Sequence, residues 1–189
     1  MDSLLLTKGI YPEAFLRKTV DYILSEQMSD GCIPWFAGDK ADPWDHVEAA
    51  MGLTIAGEYK AARKAYLWLQ SAQLDDGSWY ANYKEGKPVY AGKRETNFVA
   101  YVATGLWHYY LITEDLEFLQ QAFPMVQAAM AFVLRNQAPS GEIYWAVSET
   151  GEPLRDALIT GCSSIYKSLE CAVNIAVVLE QDDSQWRHA

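Results

Sequence analysis

The sequence predicts an all-α protein built as an array of helical hairpins, and three observations carry that prediction. First, a spaced pattern of an aromatic, an aliphatic, three residues, Gln, three residues, Gly and then Trp occurs at Tyr22-Ile23, Gln27, Gly31 and Trp35. It returns at Phe132-Val133, Gln137, Gly141 and Trp145, and a middle copy at Trp68-Leu69, Gln73 and Gly77 brings its Trp79 closer to the glycine. Three copies in one chain make a repeat. Second, helices with a charged face alternate with helices apolar nearly all round, such as FVAYVATGLWHYYL, which marks the latter as buried. Third, each copy falls where an outer helix hands over to an inner one, so the repeating unit is a two-helix hairpin.

Taken in order, the first helix is expected from about Pro12 to Gln27, with proline at the first helical position and Leu16, Val20, Ile23 and Leu24 on one stripe. The loop 28–41 follows, and Asp42-Pro43 gives an N-cap and a proline start for a second, small-residue helix to about Ala56. Gly57 breaks it, and Glu58 to Gln73 forms a third helix with lysines and an arginine outside. Its end, KAYLWLQSAQLDDGSW, is a clasp in which glutamine, glycine and an indole fasten loop to helix, with Gly77 in the left-handed conformation that ends helices. Asp75 to Arg94 is a long loop with a short hairpin between Trp79 and Tyr90. The fourth helix, Glu95 to Ile112, is the apolar one; Thr113 caps a short piece to Ala122, and Pro124 starts a fifth helix ending at Gln137. A loop to Ile159 leads to a sixth helix from about Gly161 to Gln181, and the last residues approach a seventh.

At 189 residues the chain fits one domain. Its net charge of −10 argues against nucleic acid or an anionic membrane as partner. Cys32, Cys162 and Cys171 form no CxxC pair, which gives neither a disulfide framework nor a zinc site and makes a reducing cytoplasm the default. The opening MDSLLLTKG does not read as a signal peptide, and no apolar run is long enough to span a membrane. Seven tryptophans and twelve tyrosines are many for a small protein; most are expected in the core and the clasps, and an aromatic-lined cleft for a sugar ring or a hydrocarbon is the functional reading.

The block from Lys64 to Trp79 resembles the QW motif of terpenoid cyclases, with Lys64-Ala65, Trp68-Leu69, Gln73, Gly77 and Trp79 in place. The flanking copies resemble the looser repeat of α/α toroids, protein prenyltransferases and six-hairpin glycosidases included. The stretch from Leu106 to Ala146 looks most like the six-hairpin glycosidases. This resemblance implies an α/α toroid. Such toroids have twelve helices, so about six here imply half of an (α/α)6 barrel: residues 1–189 are one toroid domain or the N-terminal half of one, closed by a second copy or by a longer chain.

Every inner helix would then begin on one rim, and the rim carries the candidate chemistry. Asp42, Asp45 and Glu48 recur every three residues at the mouth of the second helix, with Trp44 and His46 beside them. Glu95 and Asn97 open the fourth helix, and Ser163 and Tyr166 open the sixth. A glycosidase needs a protonated acid and a carboxylate base or nucleophile, roles for which Asp45, Glu48 and Glu95 are the candidates. Trp35, Trp44, His46, Trp79, Asn97, Ser163 and Tyr166 are the candidate substrate contacts. No HExxH or paired-histidine spacing points to a metal, and no cofactor is implied.

Acid/base hydrolysis of a saccharide is therefore the leading expectation. An isoprenoid-handling protein like the prenyltransferases or terpenoid cyclases is the alternative, although neither DxDD nor DDxxD is present. A noncatalytic binding scaffold is the third.

Overall fold

The computed structural model describes residues 14–89 and 92–188. The expected start at Pro12, the MDSLLLTKG opening and the hairpin's end at Tyr90 lie outside the described residues.

Three helical hairpins follow one another along an open arc. Helices α1 (Ala14–Glu26), α3 (Tyr59–Ala72) and α5 (Leu116–Arg135) are the outer members, and α2 (Pro43–Ile55), α4 (Thr96–Thr113) and α6 (Ile159–Val178) the inner ones. The inner helix α4 packs between α2 and α6 and also against α5. Small residues let it approach: a Cβ on Gly105 would collide with the Val47 side chain and press on the Tyr66 hydroxyl. Val47, Ala50 and Leu53 of α2, Val99, Ala103 and Leu106 of α4, and Ile165, Ala172 and Ile175 of α6 are buried between the helices. Lys60 on α3 is exposed, as an outer face requires.

Two departures from the sequence reading have physical causes. The fifth helix is continuous from Leu116 to Arg135, with Pro124 inside it, and its N-cap is Asp115, which accepts from the Phe118 amide at 3.0 Å; Thr113 ends α4 instead. Proline removes the bond to the carbonyl of Gln120, but Pro124 and Gln120 both face solvent, where water replaces it. Phe118, Leu119 and Ala122 before the proline and Met125, Val126 and Met130 after it bury in one core, which holds the two halves in line. Second, the loop before α6 is not featureless. Strand β4 (Ala146–Val147) pairs antiparallel with both β3 (Arg94–Glu95) and β5 (Pro153–Leu154). Two-residue strands are too short for alternation to announce them. The expected hairpin is present as β1 (Tyr83–Lys84) and β2 (Lys87–Pro88), and the approach to a seventh helix is one turn, α7 (Ser184–Arg187), with Trp186 packed on Phe123.

All three clasps form, with one internal geometry. Gln27, Gln73 and Gln137 each donate from Nε2 to the carbonyl of the glycine four residues on, at 3.1, 2.9 and 2.9 Å. What fills the space beneath the loop is the residue two after the glycine: Ile33, Trp79 and Ile143, all buried. The tryptophans four after the glycine, Trp35 and Trp145, are therefore not anchors. Trp79 alone combines both, at 1% exposure with its indole donating to the Leu69 carbonyl at 2.8 Å.

Candidate functional site

The mouth of α2 is where the sequence concentrates acids, and the fold turns them in different directions. Asp42 caps the helix: its carboxylate accepts from the Asp45 amide at 2.9 Å and from the Trp35 indole at 2.7 Å, and the side chain is buried. Asp45 and Glu48 lie one turn apart on the uncovered side of α2. Partial burial, foremost, and then the charges of Asp42 and Glu48 push the Asp45 carboxyl up to about 6. Glu48 accepts from the Trp44 indole at 3.0 Å and the Tyr101 hydroxyl at 3.2 Å, and those two rings stack at 3.8 Å between centroids and 7° between planes. Burial, then the Glu48 carboxylate, push the Tyr101 phenol up to about 12. A cavity of about 280 Å³ opens beside Asp45, walled by Tyr22 and Ile23 of α1 and by Trp35 and Phe36 of the first clasp loop. A carboxyl that holds its proton near neutrality, next to carboxylates and exposed rings, can donate that proton to a leaving oxygen.

Other predicted residues fall elsewhere. His46 turns into the core: Nδ1 accepts from the Ile33 amide at 3.1 Å, so Nε2 carries the hydrogen and donates to the Ala65 carbonyl at 2.9 Å. Full burial pushes its pKa down to about 4. It ties the first clasp loop to α3 and has no free nitrogen for a substrate, which corrects its expected role. Trp79 is corrected likewise, because its indole is enclosed beneath the second clasp. Glu95 precedes α4 on β3 and pairs with Lys93 at 2.9 Å, whose ammonium also sits over the Trp145 ring. Asn97 is partly exposed in the first turn of α4. Ser163 donates to the Ile159 carbonyl of its own helix, while Tyr166 stands 65% exposed beside a second, polar cavity of about 560 Å³ walled by α6 and α7.

Sequence reasoning missed Tyr101, which sits mid-helix in an apolar run. Its partly exposed neighbours Asn97, Thr104, His108 and Leu111 recur at three or four residues, a stripe on α4 that the arc leaves uncovered. That period was legible, but the run's hydrophobicity hid it. Among the described residues, no helix is long and apolar enough to cross a membrane.

Comparison with known proteins bears on the fold and on the extent of the chain. No protein-family model matches it. It is 42% identical over 181 residues to the MMP endo-(1,4)-3-O-methyl-alpha-D-mannosidase of Mycolicibacterium hassiacum, an alignment covering 96% of this chain and 50% of that enzyme. The chain thus spans about half the length of the curated relative it matches. A family 105 glycoside hydrolase of C. acetobutylicum superposes with a TM-score of 0.69 at 12% identity, over 86% of this chain and 51% of the other. A sugar epimerase from a ruminal bacterium superposes with a TM-score of 0.65 at 13% identity, over 89% and 52%. The fold is that of the six-hairpin glycosidase-like α/α toroids, and the arc is half of one.

Proposed function

We propose that this chain carries part of the active site of a glycoside hydrolase, with Asp45 as the general acid that protonates the leaving glycosidic oxygen. The observation that carries the reading is the cluster at the mouth of α2: a proton-holding Asp45, a Glu48 fixed by Trp44 and Tyr101, and exposed rings beside them. Trp35 and Trp44 are the platforms on which a sugar face would rest. Partial burial, and then the negative charges of Asp42 and Glu48, favour the protonated Asp45 from which a substrate would take its proton. Glu95 is proposed as the second carboxylate, or else that group comes from the half of the ring that closes the arc. Asn97, Ser163 and Tyr166 are proposed as flanking contacts on the inner helices. Three free cysteines suit a reducing compartment.

Support for the substrate class comes from the relative named as an endo-mannosidase and from hydrolases that share the fold. The fold also serves epimerases, so the reaction has to be read from the site. The test is hydrolysis of α-1,4-linked mannosides, 3-O-methylated and unmethylated, by the closed ring, followed by reducing-end release. Asp45→Asn is expected to lower kcat/KM by about 10²–10⁴-fold, and the wild-type rate is expected to fall as pH rises through about 6, where the acid loses its proton. Epimerised product without bond cleavage, or an unchanged rate in the variant, would overturn the assignment.

A further inference from the structure

The cavity beside Asp45 is apolar, in contrast to the acids around it. Ile33, Pro34, Trp35, Phe36 and Ala49 make most of its wall; Asp45 stands in that wall, and Glu26 is the other carboxyl on it. The wall is built before any ligand arrives. Ile33 is buried, and its amide is held by His46 Nδ1 at 3.1 Å. Trp35 and Phe36 stand 43% and 52% exposed, yet their loop is closed on itself: the Trp35 amide donates to the Lys40 carbonyl and the Asp39 amide to the Phe36 carbonyl, each at 2.9 Å. The Trp35 indole donates to Asp42 at 2.7 Å, and the Lys40 ammonium sits 4.1 Å from the centre of its ring. Two large rings held in water by a fixed loop leave apolar surface that a ligand's hydrocarbon would cover.

The linkage chemistry selects the group that enters. Asp45 is part of the wall, so when its proton is directed at the leaving oxygen the cavity lies next to the carbon that carries that oxygen. In the 1,4-linked mannosides of the proposed reaction the leaving oxygen is on C4 of the departing ring, whose ring neighbours are C3 and C5. C5 carries a hydroxymethyl group, and its hydroxyl would exchange water for hydrocarbon. A bare hydroxyl on C3 meets the same loss, whereas a methyl ether there sets hydrocarbon against hydrocarbon. The cavity's volume of about 280 Å³ suits such a substituent with part of its ring, and is smaller than the roughly 300–1,000 Å³ of clefts that enclose whole drug-sized ligands.

We propose that this cavity is a specificity pocket for a methyl ether on the departing sugar ring, at the carbon next to the leaving oxygen, with Phe36 and Ala49 as the residues that select it. The proposal rests on the reading of Asp45 as general acid. It adds the side of the scissile bond on which methylation is sensed, the departing ring and not the ring whose anomeric carbon reacts.

Titrating the chain with 3-O-methylmannose, mannose and 6-O-methylmannose tests this, with the indole N–H resonance of Trp35 as reporter, assigned by its loss in Trp35→Phe. 3-O-methylmannose is expected to bind at least about tenfold more tightly than mannose, the discrimination that one carbon gives in an apolar pocket, and 6-O-methylmannose no more tightly than mannose. Ala49→Leu, which fills the cavity, and Phe36→Ser, which opens it, are each expected to bring the ratio to about one; a general loss of affinity cancels from that ratio. Equal binding of 3-O-methylmannose and mannose, tighter binding of the 6-O-methyl isomer, a ratio unchanged in both variants, or no shift of the Trp35 signal with any sugar overturns the proposal. Cleavage assays separate its failure from that of the catalytic reading. Asp45→Asn with undiminished cleavage removes the acid and the proposal with it, whereas absent methyl preference with Asp45 still required overturns the cavity's role alone.

Discussion

Asp45 and His46 are consecutive in the first turn of α2, and the two sides of that helix treat them oppositely. Asp45 faces the uncovered side, where partial burial and two carboxylates push its pKa up to about 6; His46 faces α3, where complete burial pushes its pKa down to about 4. Burial disfavours the charged form of each, so both are uncharged near pH 5, and at Asp45 the neighbouring carboxylates add to the effect. On the covered side a polar group survives by spending every hydrogen-bonding atom on backbone, as His46 does with Ile33 and Ala65. On the uncovered side the proton is still available to a ligand. In half of a ring, chemistry belongs to the faces that no neighbouring helix has covered.

The largest effect should come from breaking the covered side. His46→Ala leaves the Ile33 amide without a partner, takes from the Ala65 carbonyl the second of its two bonds, since α3 supplies the other, and opens a cavity under Trp68, whose ring lies 4.7 Å away. One unsatisfied buried amide at about 1–3 kcal/mol, plus the cavity, predicts a loss of about 2–4 kcal/mol in denaturant unfolding. Asp45→Asn should cost no stability near neutral pH, because it removes a carboxyl whose raised pKa works against the fold there. Equal losses in the two variants would erase the distinction between the faces.

A second prediction sharpens the comparison by pH. His46 in the unfolded chain titrates at its ordinary 6.5 and in the folded chain at about 4, so between these values the unfolded state binds more protons. The contribution is fully present above pH 6.5 and is lost as pH falls toward 4, about 3 kcal/mol at 1.36 kcal/mol per unit. Asp45 works against it. Its folded pKa is raised, so its contribution is present at low pH and lost as pH rises through about 6. Unfolding free energies from pH 4 to 7 should therefore rise more steeply in Asp45→Asn than in the wild type, where the two effects oppose each other, and should fall with pH in His46→Gln, where only the Asp45 effect remains.

How much of this was legible in the sequence follows from what each signal measures. The hairpin order, the Asp42 cap and the three glutamine clasps were legible because local chemistry fixes them: Asp42 bonds an amide three residues on, and each Gln a carbonyl four residues on. The fate of His46 was not, because its partners lie 13 and 19 residues away and only packing brings them there. Pro124 misled for the same reason: a local helix-starting preference lost to a core that continues on both sides of it. Trp35 misled by its identity, since indoles four residues after a glycine looked like anchors, whereas the buried position is two after it, held by Ile33 and Ile143.

The smallest predicted effect separates Asp45 from Glu48 on the uncovered side itself. Tyr101→Phe removes one 3.2 Å hydrogen bond to Glu48 and keeps the ring that stacks on Trp44, so Glu48 retains the Trp44 indole as its second partner. A hydrogen bond to a charged group at an accessible site is worth about 1 kcal/mol net, which predicts a loss of no more than about tenfold in kcat/KM and little change in unfolding. The pH at which the rate declines should also stay where it is, because Tyr101 does not enter the causes that hold the Asp45 proton in place. If Tyr101→Phe instead costs as much as Asp45→Asn, the orientation of Glu48 governs the reaction. Glu48 would then take the catalytic role, and Asp45 would become the neighbour that adjusts it.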